Sequence, residues 1–434
     1  VAKEIQPTIF QRFFRTETAG GSVLLLFGIA ALALANSPLA GAYQHLWEIP
    51  LTIGISKHSL SLTLGQWINE GLMAVFFLLV GLEIKRELIV GELASARKAA
   101  LPIACAIGGM IVPAAIYLMF NPTGLGARGW GIPVATDIAF ALGALALVAP
   151  DAPIGARVFL TALAIVDDMG AVLVIAFFYS SAIAWGALGG AALMLLILVG
   201  FNATGVRQLW PYLFVGALLW YLIHESGIHA TVAGVLLAFT VPAHTRRHAA
   251  ELSCRPRALF DRVERSETDD FPALTGKERQ ENLLVREEAS HNVAAPSLRL
   301  EHALHNLSAF VVMPLFAFAN AGVKIPLTME HAEIGLGVLA GLFIGKPLGI
   351  MATAWLAVSA GIAKLPRAVS WTSLLSCAWL AGIGFTMSLF ITFLAFDDTA
   401  LVYAAKRGVL MGSLLAGIGG AIVSRIASAY RDDR

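Results

Sequence analysis

The sequence predicts an all-α polytopic membrane protein with about twelve transmembrane helices, two of them broken, and a small β-hairpin on its outer face. Three observations carry that expectation. Hydrophobic residues make up 58% of the 434-residue chain and charged ones only 14%, against about a quarter in soluble proteins, so the bilayer is the expected solvent. Apolar stretches of roughly 17 to 25 residues, the length that crosses hydrocarbon, begin near residues 22, 65, 101, 131, 157, 185, 210, 229, 300, 333, 370 and 402. The basic residues of the short loops sort to one side. With the N-terminus inside, Lys3, Arg12, Arg15, Lys85, Arg86, Arg97, Lys98, Arg157, Arg207, Lys364, Arg367, Arg425, Arg431 and Arg434 are cytoplasmic, and only Lys57, Arg128, Lys324, Lys406 and Arg407 are outside. Both termini are therefore expected in the cytoplasm.

The elements follow in order. Lys3, Arg12 and Arg15 precede an apolar run from Val23 to Ala35 that ends Ala33-Leu34-Ala35, which can be read as a cleavable signal peptide. The long charged leader and the even span count favour a retained helix. From Leu51 to Leu64, apolar and polar residues alternate on both sides of Lys57-His58-Ser59, a period-two pattern that predicts a β-hairpin. Such a hairpin is marginal alone, so it is expected to pair with something. From about His244 to Arg299 the chain turns polar and mixed in charge, too poor in apolar residues to fold firmly. The expected organisation is a first membrane part, 1–243, with about eight helices, a polar and mostly disordered cytoplasmic loop, 244–299, and a last membrane part, 300–434, with about four.

Helix-disfavouring residues interrupt two apolar stretches. One carries Gly131-Ile132-Pro133-Val134-Ala135-Thr136-Asp137 and the other Ala381-Gly382-Ile383-Gly384-Phe385-Thr386. Interrupted spans in the two halves of a chain point to a transport site built from broken helices, although small residues also serve close helix packing. Thr136-Asp137 beside the proline favours the first reading. The cysteines, Cys105, Cys254 and Cys377, stand too far apart in sequence to indicate a disulfide framework or a zinc site.

The charges inside the spans are the most informative residues. Asp167 and Asp168 lie in the middle of the stretch Val158–Tyr179, roughly 14 to 18 Å from either end at the helical rise. A charge at that depth costs at least about 2.5 kcal/mol and usually marks an ion or proton pathway. Lys346, in the stretch Ile334–Val358, is also too deep to reach the interface by extending its stem; it either takes part in transport or serves as an architectural counter-ion. Gly345-Lys346 is no phosphate loop, because Pro347 follows where Ser or Thr is required. Neighbours on a helix point about 100° apart, so one aspartate can meet Lys346 while the other faces an aqueous funnel. Sodium is a hard cation suited to carboxylate, hydroxyl and carbonyl oxygens. Burial disfavours an ionised carboxyl, so protons and cations would compete for one site.

Several segments together resemble the NhaA family of sodium/proton antiporters. They are the run Trp67–Leu88, Ala135-Thr136-Asp137-Ile138-Ala139-Phe140-Ala141, the Asp167-Asp168 block, Gly345-Lys346-Pro347-Leu348-Gly349 and Gly382-Ile383-Gly384-Phe385-Thr386-Met387-Ser388. The resemblance runs from Ala35-Asn36-Ser37 to the last span, apart from the long loop. It implies an inverted-repeat transporter fold in a bacterial inner membrane and electrogenic, pH-regulated exchange of Na+, and also Li+, for protons. It further implies no cofactor, no enzymatic activity and no nucleic-acid partner; a homodimer through the outer hairpin is expected from the unpaired edges of its strands. Asp167, Asp168, Thr136 and Asp137 match the ion and proton site, with Asp168, Asp167 and Thr136 as sodium ligands and Lys346 as the partner of Asp167. At the helix breaks Asp137 would balance positive helix ends and Lys346 negative ones.

The pH response is assigned by the same resemblance to Glu83, Arg86, Glu87, Glu301 and His302, and to His229. A lone histidine at a span end can equally be a solvated or hydrogen-bonded side chain. Two departures stand out: Glu70 replaces an expected aspartate, and the loop before Glu301 is far longer than in the family's familiar members. Two other readings are open to the residues themselves. A sodium-coupled symporter on a related fold would share the broken helices, but paired aspartates with Lys346 suit proton exchange. An intramembrane aspartyl protease also buries two aspartates, but it draws them from separate helices, so the adjacency of Asp167 and Asp168 counts against it.

Overall fold

The computed structural model describes residues 9–55, 58–150, 152–180, 183–243, 295–324, 331–366 and 369–432. Helix α1 spans Ile9–Ala35 and α2 Ala40–Glu48. They are bent against each other by 114° over the stretch from Ala19 to Glu48. Strands β1 (Pro50–Ile55) and β2 (His58–Thr63) follow. Thr63 then starts the next helical run with a reciprocal cap: its hydroxyl accepts from Gln66 N at 3.2 Å, and its own N–H donates to the Gln66 side chain at 2.9 Å. A π-helical stretch, Trp67–Leu72, leads into α3 (Met73–Ile89).

The chain continues as α4 (Ala96–Phe120), a 3₁₀ segment Leu125–Val134, α5 (Ile138–Val148), α6 (Ile154–Phe178), α7 (Trp185–Thr204), α8 (Leu209–Glu225) and α9 (Val232–Thr240). Beyond the undescribed 244–294, α10 (Pro296–Leu307) passes through a π turn, Ser308–Val312, into α11 (Met313–Asn320). Helix α12 (Ala332–Ala340) passes through a second π turn, Gly341–Gly345, into α13 (Lys346–Ser359). The last helices are α14 (Trp371–Ala381), α15 (Phe385–Ala395) and α16 (Thr399–Asp432).

Among the described residues, six helices are long and apolar enough to cross a membrane, and up to nine spans result if each of three bent pairs is one span. Two of those pairs fall where glycine and proline interrupt the pattern: the 3₁₀ segment with α5 bends by 46°, and α14 with α15 by 44°. The surface is apolar and the interior is charged, the reverse of a soluble protein. Ile29, Ile111, Phe177, Phe214 and Leu414 are exposed, whereas Asp137, Asp167, Asp168 and Lys346 are completely buried. Lipid is the solvent that makes such a distribution stable.

Small residues bring the charged helices together. A Cβ on Gly349 of α13 would sit 2.1 Å from the Gly108 carbonyl oxygen of α4, and one on Gly108 2.4 Å from the Gly349 oxygen. The two backbones touch there as only glycine permits, one turn beyond Lys346. In the π turn before α13, a Cβ on Gly345 would meet Pro113 of α4, and one on Gly341 would meet Pro133 of the 3₁₀ segment.

The hairpin lies where alternation placed it, with a correction at its turn. Ile55 pairs with His58 and Pro50 with Thr63, so His58 belongs to β2 rather than to the turn, and positions 56 and 57, which lie outside the described residues, separate the strands. Trp67 donates its indole N–H to the Leu51 carbonyl at 3.1 Å, and Leu64 N donates to Ile49 O at 2.9 Å, tying the ribbon's base to the helical body. Beside it, Tyr43 of α2 donates its hydroxyl to Phe318 O at 2.5 Å and packs edge-on against Phe318 and Trp47. Most of the expected polar loop lies outside the described residues. Helix α10 begins at Pro296 rather than Leu300, because proline is pre-set for the first helical position, and Ser297 N donates to Pro242 O at 3.1 Å. The two ends of the intervening segment are thus neighbours.

Candidate functional site

Asp167 and Asp168 occupy the middle of α6, and the 100° between them separates their surroundings. Asp167 Oδ2 lies 2.9 Å from Lys346 Nζ and accepts the Thr136 hydroxyl at 2.7 Å. Its other oxygen, and both oxygens of Asp168, are buried without a hydrogen-bond partner among the described residues. A buried polar atom left unsatisfied costs about 1–3 kcal/mol, more when charged. Three orphaned carboxylate oxygens on consecutive residues are therefore a feature that folding alone would not retain. Gly109 of α4 keeps its wall close, since a Cβ there would lie 3.9 Å from Asp167 Oδ1.

The broken helices supply the rest of the site. A helix that stops inside hydrocarbon leaves carbonyls at its C-terminal end and N–H groups at the N-terminal end of its continuation, and each must find a partner. At the end of the 3₁₀ segment, Val134 O accepts from Lys346 Nζ and Ile132 O accepts the Ser388 hydroxyl at 2.7 Å. At the end of α14, Ala381 O accepts the Thr136 hydroxyl at 2.9 Å. The N–H groups turn to carboxylate and hydroxyl oxygens: Phe140 N donates to Asp137 Oδ1 at 3.0 Å, Thr386 N to Asp137 Oδ2 at 3.2 Å, and Phe385 N to Ser413 Oγ at 3.1 Å. Asp137 also accepts the Thr386 hydroxyl, while Asp137 N donates to Ile383 O at 2.8 Å.

Asp137 thus caps both N-terminal ends and Lys346 a C-terminal end, as dipole balance favours. The glycines of the second break allow the crossing: a Cβ on Gly384 would fall 2.1 Å from Ser388 Oγ and 3.1 Å from Ala135 O.

A second charged group joins α3 to α10. Arg86 pairs with Glu301, whose side chain is almost fully buried, and lies 3.4 Å from Glu87. Glu87 also accepts from Glu92 N at 3.0 Å. Glu83 stands 3.9 Å from His305. Glu83, Arg86, Glu87 and Glu301 are therefore assembled, whereas His302 is exposed. His305 is a histidine that motif reading passed over. The signal was periodicity: His305 is one turn after Glu301 on the same helix face, and His302 is rotated about 100° off it.

His229 is held elsewhere, its ring 5.5 Å from Phe390 of α15 and its Nε2 buried without a hydrogen-bond partner. Its charged neighbours are Glu70 and His224. That pair, with 2.5 Å between Glu70 Oε2 and His224 Nδ1, was also not anticipated. It is braced by the stack of Trp67, Trp220 and His224. Among the described residues no three His, Cys, Asp or Glu side chains converge as a resident metal site would require.

A family model described as Na+/H+ antiporter 1 matches residues 11–424. The chain is 46% identical over 428 residues to the Na(+)/H(+) antiporter NhaA of Oleidesulfovibrio alaskensis, covering 98% of this chain and 95% of that one. It is 48% identical to NhaA 2 of Syntrophotalea carbinolica, with 97% of each chain covered. With NhaA of Acidithiobacillus ferrooxidans it shares 49% over 94% of each. The match extends over both broken helices, the aspartate pair and the lysine facing it, and the chain belongs to the Na+/H+ antiporter 1 family of multi-pass secondary transporters.

Proposed function

We propose that this chain exchanges Na+ for protons across a bacterial inner membrane at a site made of Asp168, Asp167 and Thr136. The observation that carries the proposal is the unequal partnering of two adjacent buried carboxylates. Asp167 is neutralised by Lys346 and accepts a hydrogen bond from Thr136, whereas both oxygens of Asp168 have no donor among the described residues. Burial penalises an uncompensated carboxylate, so Asp168 holds either a proton or a cation. One site that accepts either ion, and that opens to one side at a time, couples their movements. With sodium bound between the aspartates, the Asp167–Lys346 pair is also perturbed. A second proton held by that pair makes the exchange electrogenic, more protons entering than sodium leaving. Lithium, smaller and equally suited to oxygen ligands, is carried as well.

The wider reading includes twelve spans in an inverted repeat with both termini cytoplasmic, and a cytoplasmic connection between the two membrane parts that ends where α10 begins at Pro296. The hairpin joins two copies into a homodimer. The cluster of Glu83, Arg86, Glu87 and Glu301 sets the pH response at the inner mouth. Support comes from the basic-residue bias of the loops and from the Arg86–Glu301 pair between two helices. The test is direct. Purified protein in vesicles should dissipate an imposed pH gradient when sodium or lithium is added, and should not when potassium is added. Sodium uptake that requires an organic solute, with no proton movement, would refute exchange.

A further inference from the structure

The two helix breaks hold each other by exchanging threonine hydroxyls. Thr136, in the break before α5, holds its one hydroxyl proton between Asp167 Oδ2 and Ala381 O at the end of α14. Thr386, in the first turn of α15, donates to the Asp137 carboxylate before α5. Both threonines are completely buried, as is Asp137. The same Thr136 hydroxyl touches Asp167, whereas Thr386 bonds to Asp137 through both its hydroxyl and its backbone N–H. Thr386 thus lies one step removed from the carboxylates, on the far side of the crossing.

We propose that Thr386 is a positioning residue for the ion site. Its hydroxyl clamps Asp137, and so fixes where the adjacent Thr136 presents its oxygen to Asp167. The inference rests on the reading of Asp168, Asp167 and Thr136 as the sodium ligands. Hydrogen bonds to a carboxylate are stronger and more directional than neutral ones, and here the acceptor is the N-cap of a half-helix whose preceding residues are unwound. Two other bonds across the crossing, Thr386 N to Asp137 and Asp137 N to Ile383 O, remain when the hydroxyl is removed. Its loss therefore loosens the break without dissolving it. A loosened Thr136 weakens sodium binding more than it slows the movement of a loaded site.

The test is sodium-dependent exchange by the full chain in vesicles, with apparent KM and maximal rate measured separately. Thr386→Val, which keeps the shape and removes the donor, should raise the KM for sodium about tenfold, the loss expected for one hydrogen bond to a charged group. The maximal rate should fall much less. Thr386→Ser should restore the parental KM, and Thr386→Cys, a weak donor, should fall between. If Thr386→Val does not insert, the Ser and Cys pair alone decides: a parental KM for both, or a raised KM for both, overturns the proposal. A parental KM in Thr386→Val overturns it as well. Asp168→Asn is measured in the same vesicles. Exchange retained by that variant would sink the site reading itself, whereas an inactive Asp168→Asn beside a parental Thr386→Val would sink only the role of Thr386.

Discussion

Lys346 Nζ and Asp167 Oδ2 are 2.9 Å apart in a fully buried contact between α13 and α6, and the same ammonium group caps the Val134 carbonyl at the end of an interrupted helix. One side chain therefore neutralises a carboxylate and satisfies a broken backbone at once. Thermal stability and transport should respond to it together.

Lys346→Ala strands Asp167 and uncaps Val134. Removing one partner of a buried pair costs about 3 to 5 kcal/mol, so the variant should melt at a clearly lower temperature in detergent and lose exchange. Equal melting curves for variant and parent would contradict the pairing.

Asp168→Asn should separate transport from stability. Both Asp168 oxygens lack a partner among the described residues, so replacing the carboxyl by a neutral amide removes no hydrogen bond seen there. Exchange should disappear while the melting temperature stays the same or rises, and sodium should no longer raise it. A variant that exchanges at the parental rate would remove Asp168 from the site.

Arg86 and Glu301 should show energetic coupling. Single substitutions Arg86→Gln and Glu301→Gln and their combination form a cycle with an interaction energy of roughly 0.5 to 3 kcal/mol, the range for contacting residues. Glu301→Gln also removes one negative charge from the cluster, while Arg86 keeps Glu87 at 3.4 Å. A more positive cluster repels protons, so the activity-versus-pH curve should move toward lower pH. Additive stabilities and an unmoved curve would show that the pair is inert.

The hairpin can be removed cleanly, because Leu64 N already bonds to Ile49 O. Deleting 51–62, which keeps the Thr63 cap, and closing the gap with two glycines should give active monomers, since an unpaired strand edge is what would recruit a symmetry mate. Native mass spectrometry of the deletion decides, and an unchanged dimer would place the interface elsewhere.

The sequence by itself determined the solvent, the aspartate pair, Lys346, the two interruptions and the hairpin. Each is a local violation of a rule: a charge in an apolar run, a proline inside a helix, a period of two among helical periods. The Asp167-Asp168 block could be read from one stretch because its cost in hydrocarbon depends only on depth. Tertiary structure decided the partners. Asp137 meets Thr386 at a sequence separation of 249, and Asn320 meets Asn69 at 251. Helices surrounded by lipid are apolar on most faces, so periodicity hardly shows which side turns inward. The π turns before Lys346 and around Trp67 were equally silent, because they rotate a helix face without changing its composition. Which buried oxygens would be left without donors among the described residues, the property on which the proposed ion site rests, emerged only when the breaks and caps had found their partners in space.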